Sequence, residues 1–493
     1  MRRMLMLVLC LTAFEMRSQQ WEISYPVEEG IILSGGCCNG GGNYVLGSCN
    51  RMVDDGYSDA LAMYIADDGS FVERMISFDG CKANLCQGLC LDNGNAVVAG
   101  VKGGSLDDHV FDSLWIAVMT PELDILEEYC KPIEEPYCSW TGEIFMDYNS
   151  DGDIVVLAGA SRFSVPYMMY NGVYVVLKCD THGNVLKVRY LEEGHSPKGA
   201  RPTGIASVPG TDNMMLLGCG FNIYGFHTVA YIDNELELVG AYPLPWLEDK
   251  CNYTNCWKSN GRFLMSSLTH HYQMPENQFY TAVFEVDEEG HYFDTLVYDR
   301  SDTSDYPAQY GSMAYVSDGV IYIATYWENG LNETPSDAVI CLIDSELNLQ
   351  GTKKIRVDDT KIRIRHCQKT SDGGCLVYGQ CKKSNSCEML YVWKLLPEDF
   401  VIPWTLSDTP EVLPPYSAYP DPTSDYLNIY LNSIEKLKIK VSVFNENGQK
   451  SFELRFDGGG LLTLDVSSLD CGAYFYEVSV GGRCTQKGKF LKN

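Results

Sequence analysis

An all-β fold is predicted by three features of the sequence. Apolar runs of four to eight residues are bounded by Gly, Asn and Asp; no segment sustains a 3.6-residue apolar period; and a turn-plus-strand unit recurs seven times at nearly constant spacing. The first two select buried strands over helices. The third selects a closed ring, because a four-stranded blade cannot bury both of its faces alone, whereas seven blades stacked radially can. The expectation is a seven-bladed β-propeller followed by a small Ig-like β-sandwich.

The repeat is a polar turn, an apolar run and a small closing residue. It appears as Asn43 to Gly47, Asn93 to Gly100, Asp151 to Gly159, Asp212 to Gly218, Asn260 to Ser266, Asp318 to Ala324 and Asp372 to Gly379. The closing residues Gly47, Gly100, Gly159, Gly218, Ser266, Ala324 and Gly379 are separated by 53, 59, 59, 48, 58 and 55 positions. Each copy continues into a further strand, a second tight turn and a fourth strand, such as Val185 to Leu191 or Tyr292 to Tyr298. The seventh copy stops after its third strand, Met389 to Leu395. Trp21 to Pro26, just past the N-terminal leader, resembles the fourth strands of other copies, and pairing it with Met389 to Leu395 would close the ring.

The flanks read differently from the body. Arg2 and Arg3 precede eleven uncharged, mostly apolar residues from Met4 to Phe14, an export signal expected to be cleaved after Ser18, so residues 1–18 are a leader and 19–396 the propeller. Eleven residues are too few to cross a hydrocarbon core that needs about 20, and no later stretch comes closer, so no transmembrane segment is expected. Pro397, Pro403, Pro410, Pro414 and Pro415 mark a linker over 397–418. The full chain carries 37 Lys and Arg against 66 Asp and Glu, a net −29, while residues 416–493 hold nine of each sign, so the excess sits in the body. A surface this acidic excludes nucleic acid as a partner, since phosphate affinity comes from Lys and Arg.

From residue 419 onward the pattern alternates as half-buried antiparallel strands do, with Leu437, Ile439, Val441 and Val443 on one side and Lys438, Lys440 and Ser442 on the other. Four blocks follow in order: Tyr419-Pro420-Asp421-Pro422-Thr423 leading to Leu427-Asn428-Ile429; Val443 to Gly448; Leu464 to Leu469 with Gly472-Ala473-Tyr474; and Lys489-Phe490-Leu491-Lys492. Together they resemble the C-terminal sorting domain of type IX secretion cargo in Bacteroidota, over residues 419–493. Asp421 stands where that family usually has Asn. The resemblance implies passage across the inner membrane, engagement of the type IX machinery by the tail, and a secreted or cell-surface destination reached through the periplasm.

Twenty cysteines, nineteen after cleavage, suit an oxidising compartment. Cys381 and Cys387 flank a short connection between strands and are candidates for a disulfide. Cys81, Cys86 and Cys90 lack a suitably spaced fourth ligand for an iron–sulfur cluster. Asp147, Asn149 and Asp151 before Gly152 place oxygens at alternate positions, as the start of a calcium loop does, but Val155 and Ala158 stand where further carboxylates would be needed; an Asx-type turn is the favoured reading, and no cofactor is expected. His270 and His271 are adjacent and would face opposite sides of a strand. No Gly-x-Ser-x-Gly elbow, His-Glu-x-x-His helix or Walker loop occurs, and no catalytic residue can be named.

The connections between second and third strands are the long and varied ones. With the links between blades they would form one face of the ring, bringing Trp140, Tyr167, Tyr170, Trp246, Tyr272 and Trp327 near it. Exposed aromatic rings stack on sugars or anchor a protein partner. Each of these residues also suits burial between blades. The leading expectation is a secreted binding protein for an extracellular glycan, peptide or host protein. The alternatives are a propeller hydrolase or lyase acting on glycans or peptides through carboxylates at the channel mouth, and a structural envelope component.

Overall fold

The structure is a computed structural model. It describes residues 21–400 and 418–493 except 27–30, 51–57, 79–80, 104–110, 162–171, 192–199, 221–226, 245–250, 258–261, 271–278, 299–304, 309, 328–335, 358–359, 384–387, 420–422, 424–425, 432–437, 446–448, 458–459 and 481–482. Two compact units divide between Thr405 and Leu406.

After an opening strand β1 (Trp21–Pro26), the first unit is built from seven antiparallel sheets. Blade 1 is β2 (Ile31–Asn39), β3 (Gly42–Asn50), β4 (Ser58–Ala66) and β5 (Phe71–Ile76). Blade 2 is β6 (Lys82–Cys90), β7 (Ala96–Gly103), β8 (Ser113–Met119) and β9 (Ile125–Pro132). Blade 3 is β10 (Ser139–Tyr148), β11 (Ile154–Ser161), β12 (Gly172–Cys179) and β13 (Val185–Leu191). Blade 4 is β14 (Ala200–Ser207), β15 (Met214–Gly220), β16 (His227–Ile232) and β17 (Leu238–Leu244). Blade 5 is β18 (Cys251–Trp257), β19 (Phe263–His270), β20 (Phe279–Val286) and β21 (Tyr292–Tyr298). In blade 6 the first strand is split into β22 (Asp305–Pro307) and β23 (Met313–Ser317), both paired to β24 (Val320–Trp327), with β25 (Ala338–Ile343) and β26 (Leu349–Ile355) beyond. Blade 7 is β27 (Thr360–Lys369), β28 (Cys375–Lys383) and β29 (Glu388–Leu395), completed by β1.

The closing pairing runs from Trp21 opposite Lys394 to Pro26 opposite Met389. The predicted partners therefore meet, and the ring is locked by backbone hydrogen bonds between the start and end of the unit. Ile23 adds a side chain to the lock, packing with Leu33, Val45 and Met63 of blade 1 and Leu376, Leu390 and Val392 of blade 7.

Why the strands are apolar on both sides is explained by where the cores lie. Each blade is a central layer between two others, so successive side chains along a strand enter two different cores. In β11 Ile154, Val156 and Ala158 pack toward blade 2, whereas Val155 and Leu157 pack toward blade 4. Among the described residues there is one such core at each of the seven interfaces, blade 7 against blade 1 included. The body continues past its last strand: Pro397–Asp399 form a 3-10 turn and Phe400 is buried near Tyr322 at 5.4 Å between ring centres. The expected linker thus begins with four residues that belong to the propeller.

The second unit is a sandwich. One sheet holds β30 (Ala418–Tyr419), β31 (Tyr426–Leu431) and β34 (Gly460–Asp465); the other holds β33 (Lys450–Asp457), β32 (Lys438–Asn445), β35 (Gly472–Val480) and β36 (Arg483–Lys492). Leu427, Ile429, Leu462 and Leu464 of the first sheet meet Ile439, Val441, Val443, Tyr476 and Val478 of the second. Leu437 lies outside the described residues.

Candidate functional site

The two faces of the ring differ. First strands end and second strands begin at one face, as third strands end and fourth strands begin there; second strands end and third strands begin at the other. On the first face the third-to-fourth turns share one device. The Oδ1 atoms of Asp180, Asp233, Asp287 and Asp344 each accept the backbone N–H groups two and four residues on, at 2.8 to 3.0 Å. In blade 2 Thr120 stands in this place, with Oγ1 accepting from the Asp124 N–H at 3.2 Å. The residue three positions on has positive φ: Gly69, Gly183 and Gly290 in blades 1, 3 and 5, and Leu123, Leu236 and Leu347 in blades 2, 4 and 6. Leucine is costly in that conformation. Its cost is offset by burial, since these three leucines are 1%, 0% and 6% exposed. Asp287, Glu289 and His291, whose ligand atoms lie within 4.8 Å of one another, belong to one of these turns, and Asp287 Oδ1 is already committed there.

Around the axis runs a girdle that sequence reasoning missed. Every first strand breaks its register at the same level: between Leu33 and Gly35, Leu85 and Gln87, Trp140 and Ile144, Pro202 and Gly204, Asn252 and Thr254, and Ile364 and His366, with the β22–β23 break in blade 6. A bulge turns a carbonyl toward the second strand, and in blades 1, 2 and 7 that is what the closing glycine accommodates. A Cβ on Gly47 would sit 2.2 Å from the Ile32 oxygen, on Gly100 2.1 Å from the Asn84 oxygen, and on Gly379 2.3 Å from the Arg363 oxygen. The small residues were legible; the bulges they imply were their unread consequence.

Polar groups tie the girdle from blade to blade. The Ser34 hydroxyl donates to Asn84 Oδ1 at 3.4 Å, the Cys86 thiol to the Gly142 carbonyl at 3.1 Å, and the Tyr310 N–H to the Arg365 carbonyl at 3.0 Å. Arg365 itself donates through Nε and Nη2 to Gln380 Oε1 at 3.0 and 2.9 Å. His366 is 7% exposed, stacks on Tyr378 at 5.2 Å and occupies the space left by the missing side chain of Gly311. Burial holds its imidazole down to about 4, favouring the neutral ring, although hydrogen bonding with the Tyr310 backbone opposes this.

The aromatic candidates are not gathered into one described platform. Trp140 is 1% exposed and walls the core between blades 2 and 3, the burial its sequence context favoured. Trp327 ends β24 half-buried, and its N–H donates to the Asp337 carbonyl at 3.0 Å. Asp337 in turn pairs with Lys354 and Arg356, so a charged cluster stands at the foot of that connection. Tyr167, Tyr170, Trp246 and Tyr272 lie outside the described residues, as do Cys387 and His271.

At the calcium candidate the oxygens are already used. Asp147 accepts from the Ser207 and Tyr148 N–H groups, both at 2.9 Å, and burial raises its carboxyl above the usual range. Asn149 Oδ1 accepts from the Asp151 and Asp153 N–H groups at 3.1 and 2.8 Å, and Asp151 Oδ2 accepts from Asn234 Nδ2 at 3.0 Å. This is the geometry of an Asx turn joining blades 3 and 4. Cys81, Cys86 and Cys90 do not converge: Cys86 is buried on Gly142, while Cys90 meets Cys37 of blade 1.

In the sandwich the first and last sequence blocks touch. Thr423 is 1% exposed; its N–H donates to the Leu491 carbonyl at 2.8 Å and its carbonyl accepts from the Asn493 N–H at 2.9 Å. Tyr474 stacks on Phe490 at 5.5 Å and its hydroxyl donates to the Asp470 carbonyl at 3.1 Å, while Gly472 and Lys489 are exposed. Tyr419 pairs with Asn428; Pro420, Asp421, Pro422 and Gly448 lie outside the described residues.

Residues 417–493 match the family described as the secretion system C-terminal sorting domain. No curated protein matches the chain. Among solved structures it is similar to a puromycin hydrolase mutant complexed with PGG (10% identity, TM-score 0.47, covering 91% of this chain and 59% of that one), so it spans about three fifths of that hydrolase's length. It is also similar to YCF48 bound to D1 peptide (8% identity, TM-score 0.44, 76% and 95% covered). The β-propeller domain of the Trilobed protease from Pyrococcus furiosus is a third likeness (11% identity, TM-score 0.40, 74% and 95% covered). The chain is an all-β propeller protein bearing a type IX sorting tail, and hence a secreted or cell-surface protein. No described helix is long and apolar enough to cross a membrane.

Proposed function

We propose that the mature chain, after loss of residues 1–18, is a secreted or surface-displayed binding protein of a Bacteroidota cell. Its propeller would engage an extracellular glycan, peptide or host protein. The observation that carries this reading is the asymmetry of the ring: one face is locked by Asp-capped hairpins in blades 3 to 6, while the connections between second and third strands, at the opposite strand ends, differ in length along the sequence. Binding surfaces are typically loops displayed on such a rigid scaffold. Tyr167, Tyr170 and Tyr272 fall within those connections, Trp246 on a blade link and Trp327 at the end of β24.

The test is a glycan and peptide array probed with the secreted protein, alongside a hydrolase and lyase screen. Saturable binding that drops at least tenfold in Tyr272→Ala or Trp327→Ala supports the reading. Turnover of a glycan or peptide would transfer the assignment to the enzyme alternative.

A further inference from the structure

We infer that Cys37 and Cys90 form a disulfide in the exported protein, a covalent staple between blades 1 and 2. Their sulfurs lie 3.0 Å apart. Ordinary non-bonded heavy-atom contacts are about 3.5 to 4.0 Å and a disulfide is about 2.05 Å, so the pair stands well inside packing distance and one small side-chain movement from a bond. The two residues come from different blades, 53 positions apart in the chain, so no local turn brings them together.

The surrounding bonds hold the backbone of both strands in this register. Asn39 Nδ2 and the Tyr44 hydroxyl, from blade 1, donate to the Gly94 carbonyl of blade 2 at 2.6 and 3.2 Å. The Tyr148 hydroxyl of blade 3 donates to the Cys90 carbonyl at 2.8 Å, and Gln368 Nε2 of blade 7 donates to the Cys37 carbonyl at 3.4 Å. Gly88 makes room for the sulfur, since a Cβ there would lie 3.1 Å from Cys37 Sγ. Burial, reinforced by the Cys90 sulfur, raises the Cys37 thiol, so Cys37 itself is a poor source of thiolate.

The chemistry is thiol–disulfide exchange with a protein or low-mass disulfide. A thiolate of the pair attacks one sulfur of the incoming disulfide and expels a thiol; the second thiolate then attacks the mixed disulfide and expels the other. The Cys37–Cys90 bond forms, two electrons reduce the donor to two thiols, and the protons lost by the pair end on them. Such donors belong to the envelope that a sorting-tail protein traverses, so the inference rests on the export assignment.

The experiment is non-reducing peptide mapping of the secreted mature chain, alkylated before proteolysis, with the cytosolically expressed chain treated with oxidised glutathione as a second sample. The expected result is a linked pair containing Cys90 and the Cys37-Cys38 peptide. That pair should persist in Cys38→Ser and vanish in Cys37→Ser. Alkylation of both Cys37 and Cys90 in both samples, or linkage of Cys90 to another cysteine, would overturn the staple. Export is read separately by tail deletion, so failure of one leaves the other standing.

Discussion

At the scale of single residues, three kinds of position carry distinct costs. A Cβ added to Gly100 would sit 2.1 Å from the backbone oxygen of Asn84, where no flexible side chain can yield. Gly100→Ala should therefore cost about 3 kcal/mol or more in urea unfolding, the cost of overpacking against backbone. Gly183 has positive φ, but a Cβ there would meet only Ile116 and Val118 methyls at 3.6 and 3.7 Å, so Gly183→Ala should cost only about 1 to 2 kcal/mol, for the left-handed conformation alone. A reversal of that order would refute the bulge argument. His366 titrates in the opposite sense to a paired histidine. Its folded value of about 4 lies below the 6.5 of a free imidazole, so the unfolded chain binds more protons between those limits. Stability should be fully present above pH 6.5, fall as the pH drops toward 4 and level off below, by about 3 kcal/mol in all. The difference in stability between wild type and His366→Gln, measured across pH 7 to 3.5, should show that slope.

Elements are joined by two systems, the closing strand and the rim. Ile23→Asp places a charge in the core between blades 7 and 1 and should cost about 3 kcal/mol in denaturant unfolding. Deleting residues 21–26 leaves the β29 edge unpaired, and size-exclusion chromatography should then show oligomers. At the rim, fourth strands reach the next blade's turn: Arg74 to Asp124, Glu127 to His182, Lys187 to Glu235 and Arg189 to Glu237. These pairs are exposed and contribute little individually. Much of this level was readable beforehand, because a period near 55 and a two-residue alternation are properties of the chain itself; Val185–Leu191 and Tyr292–Tyr298 form as expected. What could not be read was side-chain destination. When a strand is buried on both faces, its pattern no longer says which core a residue enters, so Trp140 stood among the candidates for the loop face although burial was the favoured reading, and it lies in the interior. The meeting of Cys37 with Cys90 was hidden for a related reason, since it depends on the stagger between two blades.

For the whole molecule, the division into two compact units predicts two calorimetric transitions. Removing residues 416–493 should abolish the one belonging to the sandwich and leave the propeller's midpoint within about 2 °C. The same deletion should strand the protein in the periplasm, and unchanged surface display would contradict the sorting role of the tail. The pairing of Trp21–Pro26 with the last blade also has a temporal side. If, as proposed, the chain is exported amino end first, its clasp arrives at the outset and the matching buckle only after some 370 residues have followed, the longest loop closure in the unit. Until then the arriving blades form an unfinished arc, and a molecule cut short before β29 lacks the strand that would fasten it.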